Sequence, residues 1–106
     1  MIIHKWYPNK TQTVATVAGV WAANTENMVA SVLNQVYIKS ASAPTTYNAT
    51  LTDKDGIIVR KWDTATQIVN DLTPTPTEGV YTLGINTASA DEAFTVMMSF
   101  MEGRGA

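Results

Sequence analysis

Between Thr46 and Thr52 the chain alternates strictly, with Tyr47, Ala49 and Leu51 apolar and Thr46, Asn48, Thr50 and Thr52 polar. A half-buried strand has this period of two, and the apolar set should face a core. Asp53-Lys54-Asp55-Gly56 follows at once. Asp-Gly supplies the positive φ angles of a tight hairpin, so Ile57-Ile58-Val59-Arg60-Lys61-Trp62 is expected to return antiparallel. A second hairpin is predicted further on. Tyr81, Leu83 and Ile85 share one face, residues 86–92 turn, and Phe94, Val96, Met98 and Phe100 alternate with Thr95, Met97 and Ser99 on the way back. Between the two hairpins, Leu72-Thr73-Pro74-Thr75-Pro76-Thr77-Glu78-Gly79 lacks two backbone donors and ends in glycine, which reads as an extended crossing loop at a corner between sheets.

The first forty residues are less sharply patterned. Gln12 to Ala18 and Val20 to Ala23 read as short strands around Gly19. Thr25 to Tyr37 fits two templates. Val29, Val32, Leu33 and Val36 have helical spacing behind Asn24 or Thr25 as caps, whereas Met28, Ala30, Val32, Val36 and Ile38 alternate as a strand. The β-branched end Val36-Tyr37-Ile38 and the β surroundings favour the strand, with a helical turn near Thr25 as its lead-in. About seven to eight strands, with turn signals between them and no repeated helical crossover, predict an all-β, antiparallel β-sandwich of jelly-roll-like kind. The expected organisation is an N-terminal arm over residues 1–10, the sandwich over 11–101 and a flexible tail over 102–106.

Composition agrees with one folded domain. The chain has 106 residues, 45% hydrophobic and 15% charged, too apolar for a disordered tail. A formal net charge of −2 and seven scattered Lys and Arg residues give no electrostatic footprint for a phosphate backbone, so no nucleic-acid partner is expected. No run of about 18 apolar residues occurs, and the N-terminus lacks the pattern of a signal peptide, so no membrane association or ordinary export is expected either. Without cysteine, stability must come from the core.

Few residues of the chain suit catalysis or metal binding. One histidine, His4, and no cysteine leave transition metals to carboxylates alone, an unfavourable donor set. Asp53, Asp55 and Gly56 begin like a calcium loop, but Ile57, Val59 and Thr64 occupy later ligand positions, and the hairpin explains them better. Asp91 and Glu92 read as a polar turn rather than an acid pair, and the single glycines form no phosphate-binding loop. The reading is therefore non-enzymatic, with no cofactor.

Surface pattern points instead to contact with other proteins. Strict alternation would place Ile58, Arg60 and Trp62 on one face of their strand and Ile57, Val59 and Lys61 on the other, so both faces carry apolar surface. Met97 and Met101 likewise oppose the Phe94-Val96-Met98-Phe100 stripe. With the tryptophans and the N-terminal segment, the interface candidates are His4, Trp6, Tyr7, Trp21, Ile58, Arg60, Trp62, Met97 and Met101. The same tryptophans would suit a sugar-stacking surface, and anchors of the core or of a subunit interface are the plainer reading of each.

Thr45-Thr46-Tyr47-Asn48-Ala49-Thr50-Leu51-Thr52-Asp53-Lys54-Asp55-Gly56, with Gly79-Val80-Tyr81-Thr82-Leu83-Gly84-Ile85-Asn86 and Ala90-Asp91-Glu92-Ala93-Phe94-Thr95-Val96, resembles small β-sandwich structural proteins of tailed bacteriophages. Bacterial pre-peptidase C-terminal domains have comparable glycine-tyrosine-threonine strands. The phage resemblance spans residues 33–100 and carries no catalytic residues. It implies a virion location, with a capsid decoration (cement) subunit or a head-to-tail or tail component as the role. The implied partner is the major capsid protein or another virion protein, and the implied state a homo-oligomer, a trimer among its forms. A carbohydrate-binding or adhesion module is the alternative.

Overall fold

The computed structural model describes residues 3–6, 10–41, 46–66, 68–87 and 92–101, without the side chains of residues 4, 5, 46 and 64–66. Ten strands account for most of them: β1 (Ile3–Lys5), β2 (Gln12–Ala15), β3 (Val20–Asn24), β4 (Met28–Ser40), β5 (Thr46–Thr52), β6 (Ile58–Thr66), β7 (Ile68–Asp71), β8 (Thr75–Gly79), β9 (Thr82–Thr87) and β10 (Ala93–Met101). One sheet has the order β1-β3-β9-β5-β6, and the other β2-β10-β4-β7 with β8 also paired to β4. Apart from β1, this is the jelly-roll order, in which most successive strands cross between the two sheets. β1 lies outside that plan and pairs in parallel with β3, through Ile3↔Ala22, His4↔Ala23 and Lys5↔Asn24.

The alternating stripes meet in the middle. Tyr47, Ala49, Leu51, Leu83 and Ile85 from one sheet face Leu33, Val36, Ile38, Phe94, Val96 and Met98 from the other, all no more than 2% exposed. Burying each such side chain contributes roughly 1.5–3 kcal/mol, which is what drives the two faces together. Tyr47 joins the layers. Its ring meets Phe94 edge-on at 5.0 Å and 75°, and its hydroxyl donates to the Ile38 carbonyl at 3.2 Å. Burial, with a smaller contribution from Tyr37, raises that hydroxyl's pKa to about 12.

The β5–β6 hairpin forms as the pattern predicts. Gly56 has φ +80°, and the Asp53 carboxylate accepts from the backbone N–H groups of Asp55 and Ile57, both at 2.9 Å. Ala18 and Gly19, at φ 53° and 81°, make the two-residue turn between Val17 and Val20. Two positive φ angles in succession match the right-handed twist of the flanking strands, and they end β2 at Ala15, short of the Ala18 that the pattern suggests.

Three expectations are corrected. Val80–Phe100 does not fold as a hairpin, because β9 pairs with β3 and β5 while β10 pairs with β2 and β4 in the other sheet. Two complementary apolar stripes can meet face to face across a core as readily as side by side. The Pro-rich stretch is not wholly a crossing loop either. Thr75–Gly79 pairs with β4, opposite Pro76 at Val32, and proline is tolerated there because an edge strand needs no outward N–H. Met28–Ser40 is one long strand, but no helical turn leads into it. Thr25 is instead clipped to Tyr81, its N–H donating to the Tyr81 carbonyl at 2.8 Å and its hydroxyl accepting from the Tyr81 N–H at 2.9 Å.

Candidate interface

The nine candidate residues separate into distinct environments. Trp6 and Trp21 are 0% and 4% exposed and meet edge-on at 5.9 Å and 78°. They pack the core where β1 joins β3, so a surface role for either ring is corrected. Within the expected N-terminal arm, residues 3–5 are a strand, and the Trp6 N–H donates to the Asn24 carbonyl at 2.7 Å. The His4 side chain and all of Tyr7 lie outside the described residues. Met97 sits on the outward face of β10, half-buried opposite Tyr37. Met101, 58% exposed, ends that strand opposite Val32.

Ile58, Arg60 and Trp62 do not share a face. Thr52 pairs with Ile58 and Leu51 with Arg60, which leaves Val59 as an extra residue. This bulge reverses the alternation. Ile58 therefore points outward and is 53% exposed, while Arg60 and Trp62 stand opposite the inward residues Leu51 and Ala49. β6 is the last strand of its sheet, so both side chains reach the open side of the sandwich, towards β7 and β8 of the other sheet.

There they close the gap with polar contacts. The Trp62 indole N–H donates to Asp71 Oδ2 at 3.0 Å, and the Thr73 N–H donates to Asp71 Oδ1 at 2.9 Å. Arg60 donates through Nη2 to Thr75 Oγ1 at 2.8 Å and through Nη1 to the Val59 carbonyl at 3.2 Å. Burial by itself would raise the Asp71 carboxyl, but hydrogen bonds from Thr73 and Trp62 and the Arg60 charge outweigh it and hold the pKa below its usual value. The carboxylate thus stays charged as the acceptor that orients the indole. Trp62 packs on the core yet remains half-buried. Asp71, Thr73 and Thr75 were not singled out from sequence. The signal existed in Asp71-Leu72-Thr73-Pro74, since an aspartate two residues before a free N–H commonly makes this turn.

The strands that carry the cluster also bear exposed apolar residues. Ile57, Ile58, Ile68 and Leu72, each at least 50% exposed, belong to β6, β7 and their ends, and make up four of the eight large apolar side chains exposed among the described residues. The flank thus combines an oriented, half-exposed tryptophan, an arginine and exposed aliphatic groups, a composition typical of protein contacts.

A groove of about 340 Å³ lies elsewhere, lined by Ala30, Ser31, Val32, Pro76, Thr77, Glu78 and Tyr81. Some of its polar groups hold a bulge, while the buried Thr77 hydroxyl has no hydrogen-bond partner among the described residues. Ala30, at φ 46°, donates its N–H to Glu78 Oε1 at 3.0 Å, and the Glu78 N–H donates to the Tyr81 hydroxyl at 3.1 Å. Among the described residues no three His, Asp or Glu side chains gather where they could hold a metal ion.

No protein-family model matches the chain, and no curated protein matches it. Among solved structures it is similar to the pre-peptidase C-terminal domain of collagenase from Bacillus anthracis, with a TM-score of 0.75 and 9% identity over 92% of this chain and 95% of that one. The fold is shared. At that identity the likeness carries no residue roles.

Proposed function

We propose that the chain is a non-enzymatic assembly subunit, a jelly roll that decorates a virion by packing its β6–β7–β8 flank against the major capsid protein or another virion protein. The observation that carries the reading is the flank itself. Trp62 is held by Asp71 and left half-exposed at the open side of the sandwich, and the same strands and their ends carry the exposed Ile57, Ile58, Ile68 and Leu72. A preoriented aromatic ring loses little entropy when it docks, and it is the type of residue that dominates interface energies. The phage likeness of the hairpin and strand motifs supplies the particle as the partner.

Mass spectrometry of particles purified from a lysate of the source tests the reading. A copy number close to that of the major capsid protein supports decoration, and a few copies per particle move the subunit to the neck or tail. Absence from particles would sink the proposal.

A second reading rests on the shared fold with a domain of a collagenase, namely an accessory module that binds a glycan or protein beside an enzyme. It predicts that the isolated chain binds a glycan array with a change in Trp62 fluorescence. Trp6 and Trp21, sealed in the core, would not respond.

A further inference from the structure

We propose that β1 is an exchangeable strand that, in the assembled protein, leaves its own β3 and pairs with β3 of a second copy of this chain. The first support is topological. β1 stands outside the jelly-roll order and forms a parallel pair of three residues, whereas the ladders of the jelly roll itself are antiparallel. Removing it would leave every jelly-roll strand with its jelly-roll partners. The second support is the anchor. Trp6 follows β1 directly and fills a core site against Trp21 at 0% exposure, so the slot beside β3 recognises a short strand through one deep aromatic group.

The third support is the state of the other edges. β2 has four residues. β6 carries register shifts at two places and the exposed Lys61, which pairs with Asp63 at 3.5 Å. The β7–β8 edge is interrupted at residues 72–74 and includes Pro76. Short strands, bulges, lysine and proline all discourage a neighbour from adding a strand. The β1 slot is different, since it already accepts a strand that is not part of the jelly roll. A second copy of β1 fits it by construction.

Exchange keeps every slot contact and changes only the connection, so the closed and exchanged forms differ little in energy, and a high concentration of the chain, on an assembly or in solution, selects the exchanged one. Five residues separate Trp6 from Gln12, six steps along the chain that span about 20 Å when extended. The accepting β3 must therefore belong to a copy packed directly alongside.

The chain has no cysteine, which permits a direct test on the isolated protein. Ile3 and Ala22 are register partners in the outward row that continues through Gly84. One preparation carries Ile3→Cys and another Ala22→Cys, and they are mixed at high concentration and oxidised. The expected product is a disulfide-linked heterodimer at twice the chain mass, well above a control pairing Ile3→Cys with Lys54→Cys. A Gly-Ser-Gly-Ser insertion between Lys10 and Thr11, which favours return of β1 to its own slot, should shift native mass towards monomer. If the mixed pair crosslinks no more than the control while an Ile3→Cys/Ala22→Cys double variant closes within one chain, and the insertion leaves the native mass unchanged, exchange is overturned. The inference rests on the assembly reading but is separable from it. A chain found on particles that fails this crosslink keeps the assembly reading and loses exchange, and a chain that crosslinks but is absent from particles does the reverse.

Discussion

The two ends of the β1-β3-β9-β5-β6 sheet each hold a tryptophan, and they use it in opposite ways. At the β1 end Trp6 is fully buried against Trp21, and its indole N–H has no hydrogen-bond partner among the described residues. At the β6 end Trp62 is half-buried and its N–H is held by Asp71. An unpaired buried donor costs about 1–3 kcal/mol, so Trp6 stays only because its apolar burial exceeds that cost. Trp62 gains less from burial but is fixed by a charge-assisted hydrogen bond, which stabilises an orientation rather than a core. The first tryptophan serves folding. The second is presented.

The sharpest way to break this comparison is truncation. Trp6→Ala should destabilise the isolated subunit by about 3–5 kcal/mol, the range for deleting a large core aromatic, read as a drop in the urea midpoint. Trp6→Phe should cost less, because no hydrogen bond is lost with the indole N–H. Equal loss for both variants would mean that the N–H finds a partner in solution.

Titration separates the two regions next. Burial keeps the Tyr47 hydroxyl neutral in the folded chain up to a pKa of about 12, while an unfolded tyrosine ionises near 10. The contribution is complete below pH 10 and declines as pH rises to about 12, by roughly 3 kcal/mol in all. Tyr47→Phe should flatten that part of the alkaline unfolding curve. Asp71 works in the opposite direction. Its lowered pKa contributes stability above the ordinary aspartate range, and that contribution disappears as pH falls through the folded value. Acid should therefore loosen the flank, and Asp71→Asn should reduce the acid sensitivity of Trp62 fluorescence.

Trp62→Ala should cost the isolated subunit only about 1–2 kcal/mol, since the ring is half-exposed. Its effect on particle association should be larger, at least about 2 kcal/mol if the flank is the contact surface. The measurement is the fraction bound to stripped particles at equal folded concentration. A variant that binds as well as the parent chain would move the contact to another face, such as the outward side of β10 with Met97.

These predictions rest on features that the sequence shows unevenly. The faces of β5, β9 and β10 are legible because strict alternation leaves one assignment, and Tyr47, Leu83 and Val96 are buried as that pattern requires. Which sheet each strand joins is not legible, because a stripe records that a face is covered without saying by what. That is why β9 and β10 read as a hairpin yet belong to different sheets. The flank was half legible. Arg60 and Trp62 stood out by residue type, but the bulge at Val59, which sends them inward, has no glycine or proline to mark it, and Asp71 becomes their neighbour only through the fold.

The smallest expected effect lies at the folding end of the comparison, in the turn that delivers Trp21 to Trp6. Ala18 has φ 53° in the tight Val17–Val20 turn. A left-handed conformation costs a non-glycine residue about 1 kcal/mol, because Cβ crowds the carbonyl that follows. Ala18→Gly removes that strain but adds freedom to the unfolded chain, which offsets part of the gain. Ala18→Asn tolerates the same φ with less added freedom. Both should stabilise the subunit by about 0.5 kcal/mol, Asn at least as much as Gly, and neither should alter particle binding. If Ala18→Gly stabilises the chain and also weakens assembly, the corner that holds Trp6 and Trp21 would be coupled to the flank, and the division between a folding tryptophan and a presented one would no longer hold.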